Sequence, residues 1–192
     1  MRIIAGEYKG RALQAPKGAT TRPTTDRVRE ALMSTLASIQ GGLEGETVLD
    51  AFAGSGALGL EALSRGAERA VFYEKDAGAL RVLRANIGSL GISPSRFAIH
   101  HADILKNPPR RAERPYSLVF LDPPYAAAPA DMVAFLDRIA KAGLLAPKAL
   151  ISYEHGKSSD SAVEDAFVSL QWEPVAYKCY GTTAISVLRR RP

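Results

Sequence analysis

The segment from Glu46 to Gly66 constrains the fold of this chain more than any other. It is typical of a buried strand, a tight turn that carries Gly54 and Gly56, and a helix that begins near Ala57. Glycine reaches positive φ without steric penalty and lets a ligand approach the backbone closely. The helix adds free N–H groups and a positive dipole end. This pattern predicts a ligand site at the edge of an open α/β sheet.

Strand-like and helix-like patterns alternate after Gly42. Strands are predicted near 47–51, 69–74, 97–101, 116–121 and 148–154, and helices near 57–65, 76–90 and 129–142. A last pair of strands, near 168–178 and 183–189, is predicted to form a β-hairpin joined at Tyr180-Gly181-Thr182. The prediction is a doubly wound, mostly parallel α/β sheet of seven strands, with the last strand antiparallel.

The first 40 residues are predicted to extend a Rossmann-like core over residues 41–192, all within one domain. Residues 2–15 have the pattern of a small β-hairpin, and a helix is predicted over 26–39. Thr24, Thr25 or Asp26 can cap that helix. Its core-facing stripe is formed by Val28, Leu32, Leu36 and Ile39.

Composition limits the classes of protein that this chain can belong to. Its 192 residues suit one α/β unit, and no apolar run approaches the roughly 20 residues of a membrane span. Cys179 is the only cysteine, so an internal disulfide is excluded; we interpret it as a buried, inert thiol in a cytoplasmic protein. The three histidines do not combine with acids at ligand spacing, and no metal is expected. A net charge of +5 suggests a polyanionic partner.

Residues Asp122-Pro123-Pro124-Tyr125 follow the apolar run 116–121 and carry the most specific chemistry. An aspartate can accept one hydrogen bond from an exocyclic amine, and a carbonyl held rigidly by the prolines can accept the second. The tyrosine ring offers a face on which a base can stack. An ordinary turn after a strand is the alternative, and the motif alone leaves both interpretations open.

The glycine turn also satisfies the dinucleotide fingerprint, because Gly54, Gly56 and Gly59 are followed about 20 residues later by Glu74. A nicotinamide or flavin enzyme is therefore a competing interpretation. Asp50 argues against it, since its carboxylate would repel a pyrophosphate at that position. The same carboxylate suits a ligand with a positive amino group, such as the methionine part of S-adenosylmethionine. Together with the Asp-Pro-Pro-Tyr motif, it favours a methyl donor that faces an amino acceptor.

The order of these motifs resembles that of class I S-adenosylmethionine-dependent methyltransferases, with Asp103 after the third strand. Residues 1–6, Gly10-Arg11, the segment 22–32 that begins Arg-Pro-Thr-Thr-Asp-Arg, and Tyr180-Gly-Thr-Thr183 resemble the RsmD family, over essentially the whole chain. The resemblance implies methylation of the N2 amine of one guanine in 16S ribosomal RNA, at position 966, within the assembled small subunit. It also implies S-adenosylmethionine as the cofactor. We further expect a monomer that contacts neither a metal nor a membrane.

The resemblance assigns roles to individual positions. Glu74 would hold the ribose, and Asp103 with the backbone of Ile104 would meet the adenine. The implied cofactor site comprises Asp50, Phe52, Gly54, Ser55, Gly56, Glu74, Asp103 and Ile104. The target base would lie at Asp122, Pro123, Pro124 and Tyr125, and the RNA contacts at Arg22, Thr24, Arg27 and Arg29.

The other basic segments are residues 106–114, with Lys106, Arg110, Arg111 and Arg114, and the tail Arg189-Arg190-Arg191. They are interpreted either as phosphate contacts around the pocket or as solvated charges.

Three alternative functions remain open at this point. An adenine-N6 methyltransferase acting on nucleic acid would use the same Asp-Pro-Pro-Tyr motif. A glutamine-amide methyltransferase typically has Asn where this chain has Asp122. A non-catalytic RNA-binding module could retain the fold, although intact Asp122, Glu74 and glycine positions argue against loss of activity.

Overall fold

The computed structural model describes residues 1–16, 26–124, 126–168 and 172–191. In these residues the helices are α1 Asp26–Gln40, α2 Ala57–Ser64, α3 Ala77–Leu90, α4 Pro129–Lys141 and α5 Asp160–Val168. The strands are β1 Thr47–Asp50, β2 Arg69–Glu74, β3 Phe97–His101, β4 Tyr116–Leu121, β5 Leu145–Gly156, β6 Trp172–Tyr180 and β7 Thr183–Arg190. Short 3₁₀ turns lie at Pro94–Arg96 and Lys157–Ser159.

The strands form one seven-stranded sheet in the order β3-β2-β1-β4-β5-β7-β6. Strands β1 to β5 pair in parallel, and β7 runs antiparallel between β5 and β6. The predicted doubly wound, mostly parallel fold is confirmed. The strands β1 to β5 all end at one edge of this sheet, here called the carboxyl edge, whereas β7 ends at the opposite, amino edge.

Burial explains why β7 lies inside the sheet and β6 lies at its border. Strand β7 shows little alternation of buried and exposed residues. Its residues Ala184, Ile185, Val187 and Leu188 are all buried, as a strand covered on both faces requires. In strand β6 Trp172 is buried and the other residues are exposed or half-buried, as an edge strand allows. Cys179 belongs to β6 and is exposed, so its interpretation as a buried thiol is wrong.

The sheet is covered on both faces. One face, here called the α1 face, packs Val48, Phe120 and Leu150 with α1, α2, α3 and the N-terminal segment. The other packs Leu49 and Val119 with α4 and α5. Because neighbouring residues of a strand point to opposite faces, the register fixes which side chains reach the α1 face at the carboxyl edge.

The N-terminal segment differs from the predicted β-hairpin. Its two arms meet in a single antiparallel bridge, between Arg2 and Ala12, and do not form regular strands. The backbone amides of Ile4 and Ala5 donate instead to the carboxylate of Glu61 in α2, at 2.8 and 3.1 Å. The segment is therefore fastened to the helix that follows the glycine turn, which leaves fewer amides for cross-strand pairing.

Candidate active site

Four carboxylates from four neighbouring strands line the carboxyl edge on the α1 face. They are Glu74 of β2, Asp50 of β1, Asp122 directly after β4, and Glu154 of β5, and together they are called the carboxylate row. Asp50 pairs with Phe72 and Phe120, both buried on the α1 face, and Glu74 and Asp122 follow these two residues at the same spacing. A spacing of two residues keeps side chains on one face. The fold thus concentrates acceptor groups where ligands bind in open α/β sheets.

The glycine turn is held in place by three hydrogen bonds. The Gly54 amide donates to Glu74 Oε2 at 2.7 Å, and the Gly56 amide donates to the Ala53 carbonyl at 2.7 Å. The Ser55 carbonyl accepts from Asn86 Nδ2 at 2.9 Å. The turn that would receive a cofactor is therefore preorganised by residues of β2 and α3.

The three glycines of the fingerprint have two different tasks. Gly54 has a φ of +54°, and a Cβ added there would meet no atom within 4 Å, so the space beside it is open to a ligand. A Cβ at Gly56 would lie 2.3 Å from Leu83 Cδ1, and one at Gly59 would lie 2.4 Å from Phe72 Cε1. Gly56 and Gly59 therefore allow α2 to pack closely, while Gly54 gives access.

Asp50 is a buried carboxyl group whose pKa lies near neutral pH. Its side chain is 2% exposed, and Oδ2 accepts from the Gly59 amide at 3.0 Å. Burial raises the pKa of Asp50 to about 7; the Gly59 hydrogen bond opposes this shift, and the Glu74 charge adds to it. Burial makes the ionised form of Asp50 unfavourable, and a cation placed against its carboxylate would stabilise that form. This position is therefore suited to a positively charged ligand group.

Asp122 and the two prolines form a compact acceptor site. Asp122 is half-buried, and burial raises its pKa well above the usual range, with further contributions from the charges of Glu154 and Asp50. The Pro124 carbonyl accepts from the Ala127 amide at 2.8 Å, which favours the Pro123 carbonyl as the acceptor turned to a ligand. Tyr125 lies outside the described residues.

The remaining implied cofactor residues also lie at the carboxyl edge. Asp103 Oδ1 accepts from the Leu105 amide at 3.1 Å, and Oδ2 lies 3.6 Å from Lys75 Nζ. Lys75 follows Glu74 directly, so Asp103 lies beside the end of β2. Ile104 is 1% exposed and anchors this loop in the core, and the half-buried Phe52 packs against the same cluster.

Arg29 is not available to RNA, and its expected phosphate contact is wrong. Its side chain is fully buried, and its guanidinium lies 3.0 Å from Asp26 Oδ1 and 3.8 Å from Glu61 Oε2. Glu61 is itself fully buried in α2, and a buried carboxylate needs a cation close to it. Arg27, two residues earlier, is exposed, whereas Arg22 and Thr24 lie outside the described residues.

Several basic residues that could have lain at the rim of the pocket lie at the amino edge. Arg114 precedes β4 and pairs with Glu68, which precedes β2. The tail follows the antiparallel β7 to the same edge, where Arg190 donates to the Leu145 carbonyl at 3.2 Å. For these residues the interpretation as phosphate contacts around the pocket is wrong, because each lies at the amino edge, and the interpretation as solvated charges is left.

The sequence patterns missed three residues that the structure brings to the site. Glu154 completes the carboxylate row, Glu61 fastens the N-terminal segment, and Asn86 holds both the Ser55 carbonyl and the backbone of Gln14. Glu61 and Asn86 carried a readable signal, since each is a polar residue within the apolar stripe of its helix. Glu154 carried none, because its place depends on the pairing of β4 with β5.

The sheet order and the carboxylate row define a Rossmann-like methyltransferase fold of class I. The family model described as "Conserved hypothetical protein 95" matches residues 1–189, and the chain belongs to this family, which is the RsmD family of methyltransferases. The protein is thus an RNA methyltransferase of the RsmD type.

Individual relatives agree with this assignment. "Ribosomal RNA small subunit methyltransferase D" of Escherichia coli strain K12 is 36% identical over 176 residues, covering 92% of this chain and 85% of the relative. The Haemophilus influenzae protein of the same name is 33% identical, covering 94% and 93%. The solved structure "Putative methyltransferase yhhF from Escherichia coli" is 32% identical, covers 100% of this chain and 98% of its own, and superposes with a TM-score of 0.79.

The described residues contain neither a membrane-spanning helix nor a cluster of metal ligands. None of their helices combines the length and apolar character that a membrane crossing needs. Among the same residues, no group of three or more His, Cys, Asp or Glu side chains is arranged to hold a metal ion.

Proposed function

We propose that this protein transfers the methyl group of S-adenosylmethionine to the exocyclic N2 amine of a guanine in 16S ribosomal RNA, guanine 966 of the assembled small subunit. The observation that carries the proposal is the pair Asp50 and Asp122 on neighbouring strands. Burial raises the pKa of both carboxyl groups, one beside the open glycine turn and the other at the head of the Pro123-Pro124 turn. The names of the relatives support ribosomal RNA of the small subunit as the substrate.

The described residues fit S-adenosylmethionine. Asp50 would bind its cationic amino group, because a buried carboxylate with a pKa of about 7 gains most from a nearby cation. The Glu74 carboxylate accepts hydrogen bonds from the backbone amides of Gly54 and Asp76, and it has further lone pairs. With these it would accept hydrogen bonds from the ribose hydroxyls. Asp103 and the Ile104 backbone would meet the adenine, and Phe52 would line that side. When bound, S-adenosylmethionine supplies an electrophilic methyl group on a sulfonium.

Asp122 and Pro123 would orient the nucleophile. The Asp122 carboxylate accepts one N–H of the guanine amine and the Pro123 carbonyl accepts the other, which directs the nitrogen lone pair towards the methyl group. Orientation of this kind can supply roughly 7–11 kcal/mol of barrier lowering. Once the nitrogen has gained the methyl group, its extra proton passes to Asp122 or to water. The raised pKa of Asp122 makes it a better proton acceptor than an ordinary aspartate.

The RNA would approach over the α1 face. Arg27 is exposed there, and we propose it as a phosphate contact together with Arg22 and Thr24 of the segment before α1. The target guanine must leave its stack to reach Asp122, at a cost of a few kcal/mol, and Tyr125 would stack on it. We place this reaction in the cytoplasm, carried out by a monomer that folds as one domain.

The Asp122→Ala variant tests the catalytic assignment. We expect methyl transfer from radiolabelled S-adenosylmethionine to small subunits to fall by at least about 10²-fold, since the amine loses its main acceptor. Calorimetry should give an S-adenosylmethionine affinity within a few-fold of the wild-type value. The matched control is Asp165→Ala, which removes an exposed carboxylate on α5 and should leave methyl transfer unchanged. Near-wild-type methylation by Asp122→Ala would refute the assignment.

A further inference from the structure

Glu154 is a second carboxylate beside Asp122. Strands β4 and β5 pair in parallel up to Leu121 and Tyr153. Asp122 directly follows Leu121, and Glu154 directly follows Tyr153. Glu154 also pairs with Ile185 of β7, whose side chain is buried on the α1 face. Paired residues point to the same face of a sheet, so the half-buried Glu154 projects to the face that Asp122 occupies.

The two carboxyl groups interact strongly. After burial, the charge of Glu154 is the largest contribution that raises the pKa of Asp122, ahead of the charge of Asp50. Asp122 and Glu154 therefore form one wall of acceptor oxygens, each of which can receive an N–H donor when ionised. Two ionised carboxylates that directly follow paired positions of neighbouring strands repel each other, and a ligand that places hydrogen-bond donors against both relieves the repulsion.

We propose that Glu154 selects guanine over adenine by accepting a hydrogen bond from guanine N1–H while Asp122 accepts from the N2 amine. This inference rests on the proposed function and names the residue that decides the base. On the Watson–Crick edge of guanine, N1–H and the N2 amine are adjacent donors. On adenine the N6 amine lies beside N1, which carries only a lone pair.

Rejection of adenine follows from the same contact. A base that has left its stack is recognised largely through hydrogen bonds to its Watson–Crick edge. With adenine in the pocket, Glu154 would face the N1 lone pair, so two acceptors would meet with no proton between them. A site built to bond a donor rejects an analogue that lacks it by large factors, because its own polar group is left unpaired. Asp122 alone would bind either amine.

The test changes the Watson–Crick edge of the base and the side chain of Glu154 together. Small subunits are reconstituted with 2-aminopurine at the target nucleotide, which keeps the reacting amine, replaces N1–H by a lone pair and lacks O6; a change in the wild-type rate that came from O6 alone would be the same in Glu154→Gln. The Glu154→Gln variant offers an amide N–H to that lone pair. The control is Glu164→Gln, which removes an equal charge from an exposed position on α5.

The expected result is a change in discrimination and not merely in rate. Wild-type protein should methylate guanine at least about 10²-fold faster than 2-aminopurine, and Glu154→Gln should reduce this ratio by tenfold or more. Glu164→Gln should keep the wild-type ratio. Equal wild-type rates on both bases would overturn the proposal without recourse to any variant. Loss of both rates by the same factor in Glu154→Gln would also overturn it. Absence of guanine methylation by the wild type would instead refute the proposed function.

Discussion

Replacement of Asp50 by asparagine should raise the unfolding free energy of the protein at neutral pH. It should also remove the part of the pH dependence of that free energy that comes from Asp50, between about pH 4 and 7, and it should weaken cofactor binding. Asparagine keeps the shape of the side chain, and its carbonyl oxygen can still accept from the Gly59 amide, which lies 3.0 Å from Asp50 Oδ2. The amide does not titrate. The substitution therefore removes the buried charge and little else.

The magnitude follows from the pKa of Asp50. Burial raises this pKa from 3.8 to about 7, and a tenfold change in a protonation equilibrium corresponds to about 1.4 kcal/mol. Well below pH 3.8 the carboxyl group is protonated in both the folded and the unfolded state, and folding carries no penalty. Between pH 4 and 7 the folded protein still holds the proton that the unfolded chain has lost, so its stability falls as pH rises. The full penalty, on the order of 4 kcal/mol, is reached above pH 7.

Urea denaturation of both proteins at pH 4.5, 5.5, 6.5 and 7.5 measures this penalty. The unfolding free energy of Asp50→Asn should exceed that of the wild type by an amount that grows steadily across this series. Parallel pH profiles would show that Asp50 is ionised as readily in the folded as in the unfolded chain, and would refute the reasoning. A site that sacrifices stability in this way is expected where a charged ligand is to be bound.

Three further predictions concern Asp50 and two arginines of α1. The affinity for S-adenosylmethionine, measured by calorimetry, should rise with pH by up to about tenfold per unit below pH 7, because binding needs ionised Asp50; a flat profile would contradict a contact with the cationic amino group. Arg29→Met should lower the unfolding free energy by about 3 kcal/mol, since it leaves Glu61 buried with Arg65 as its remaining cation, at 2.8 Å. Arg27→Met should instead keep the melting temperature and weaken RNA binding; the reverse pattern would show that the two arginines were assigned the wrong way round.

Local patterns predicted the sheet and the positions of Asp50, Glu74 and Asp122 because these features depend on neighbours in sequence. An apolar run followed by a carboxylate predicts a strand end, and parallel strands bring such ends to one edge. The glycine turn was predicted for the same reason. That Gly54 leaves room for a ligand while Gly59 allows close helix packing could be seen only from the position of Phe72 in the structure.

The errors involve contacts between distant parts of the chain. Arg29 was assigned to RNA because Glu61, its buried partner, belongs to another helix. For the arginines of the tail, phosphate contacts around the pocket were one of two interpretations, and only the antiparallel direction of β7 rules that one out. Glu154 was overlooked because no motif marks it, and only its register with β4 places it beside Asp122. Pairing between strands is set by tertiary packing, which a motif does not report.

The central claim is that the carboxylate row binds a methyl donor and a guanine amine for N2 methylation. The most direct test incubates the purified protein with radiolabelled S-adenosylmethionine and unmethylated small subunits, then digests the RNA and identifies the labelled nucleoside and its position. We predict one labelled product, N2-methylguanosine, at a single site of 16S ribosomal RNA. Label in N6-methyladenosine, or in protein, would contradict the claim.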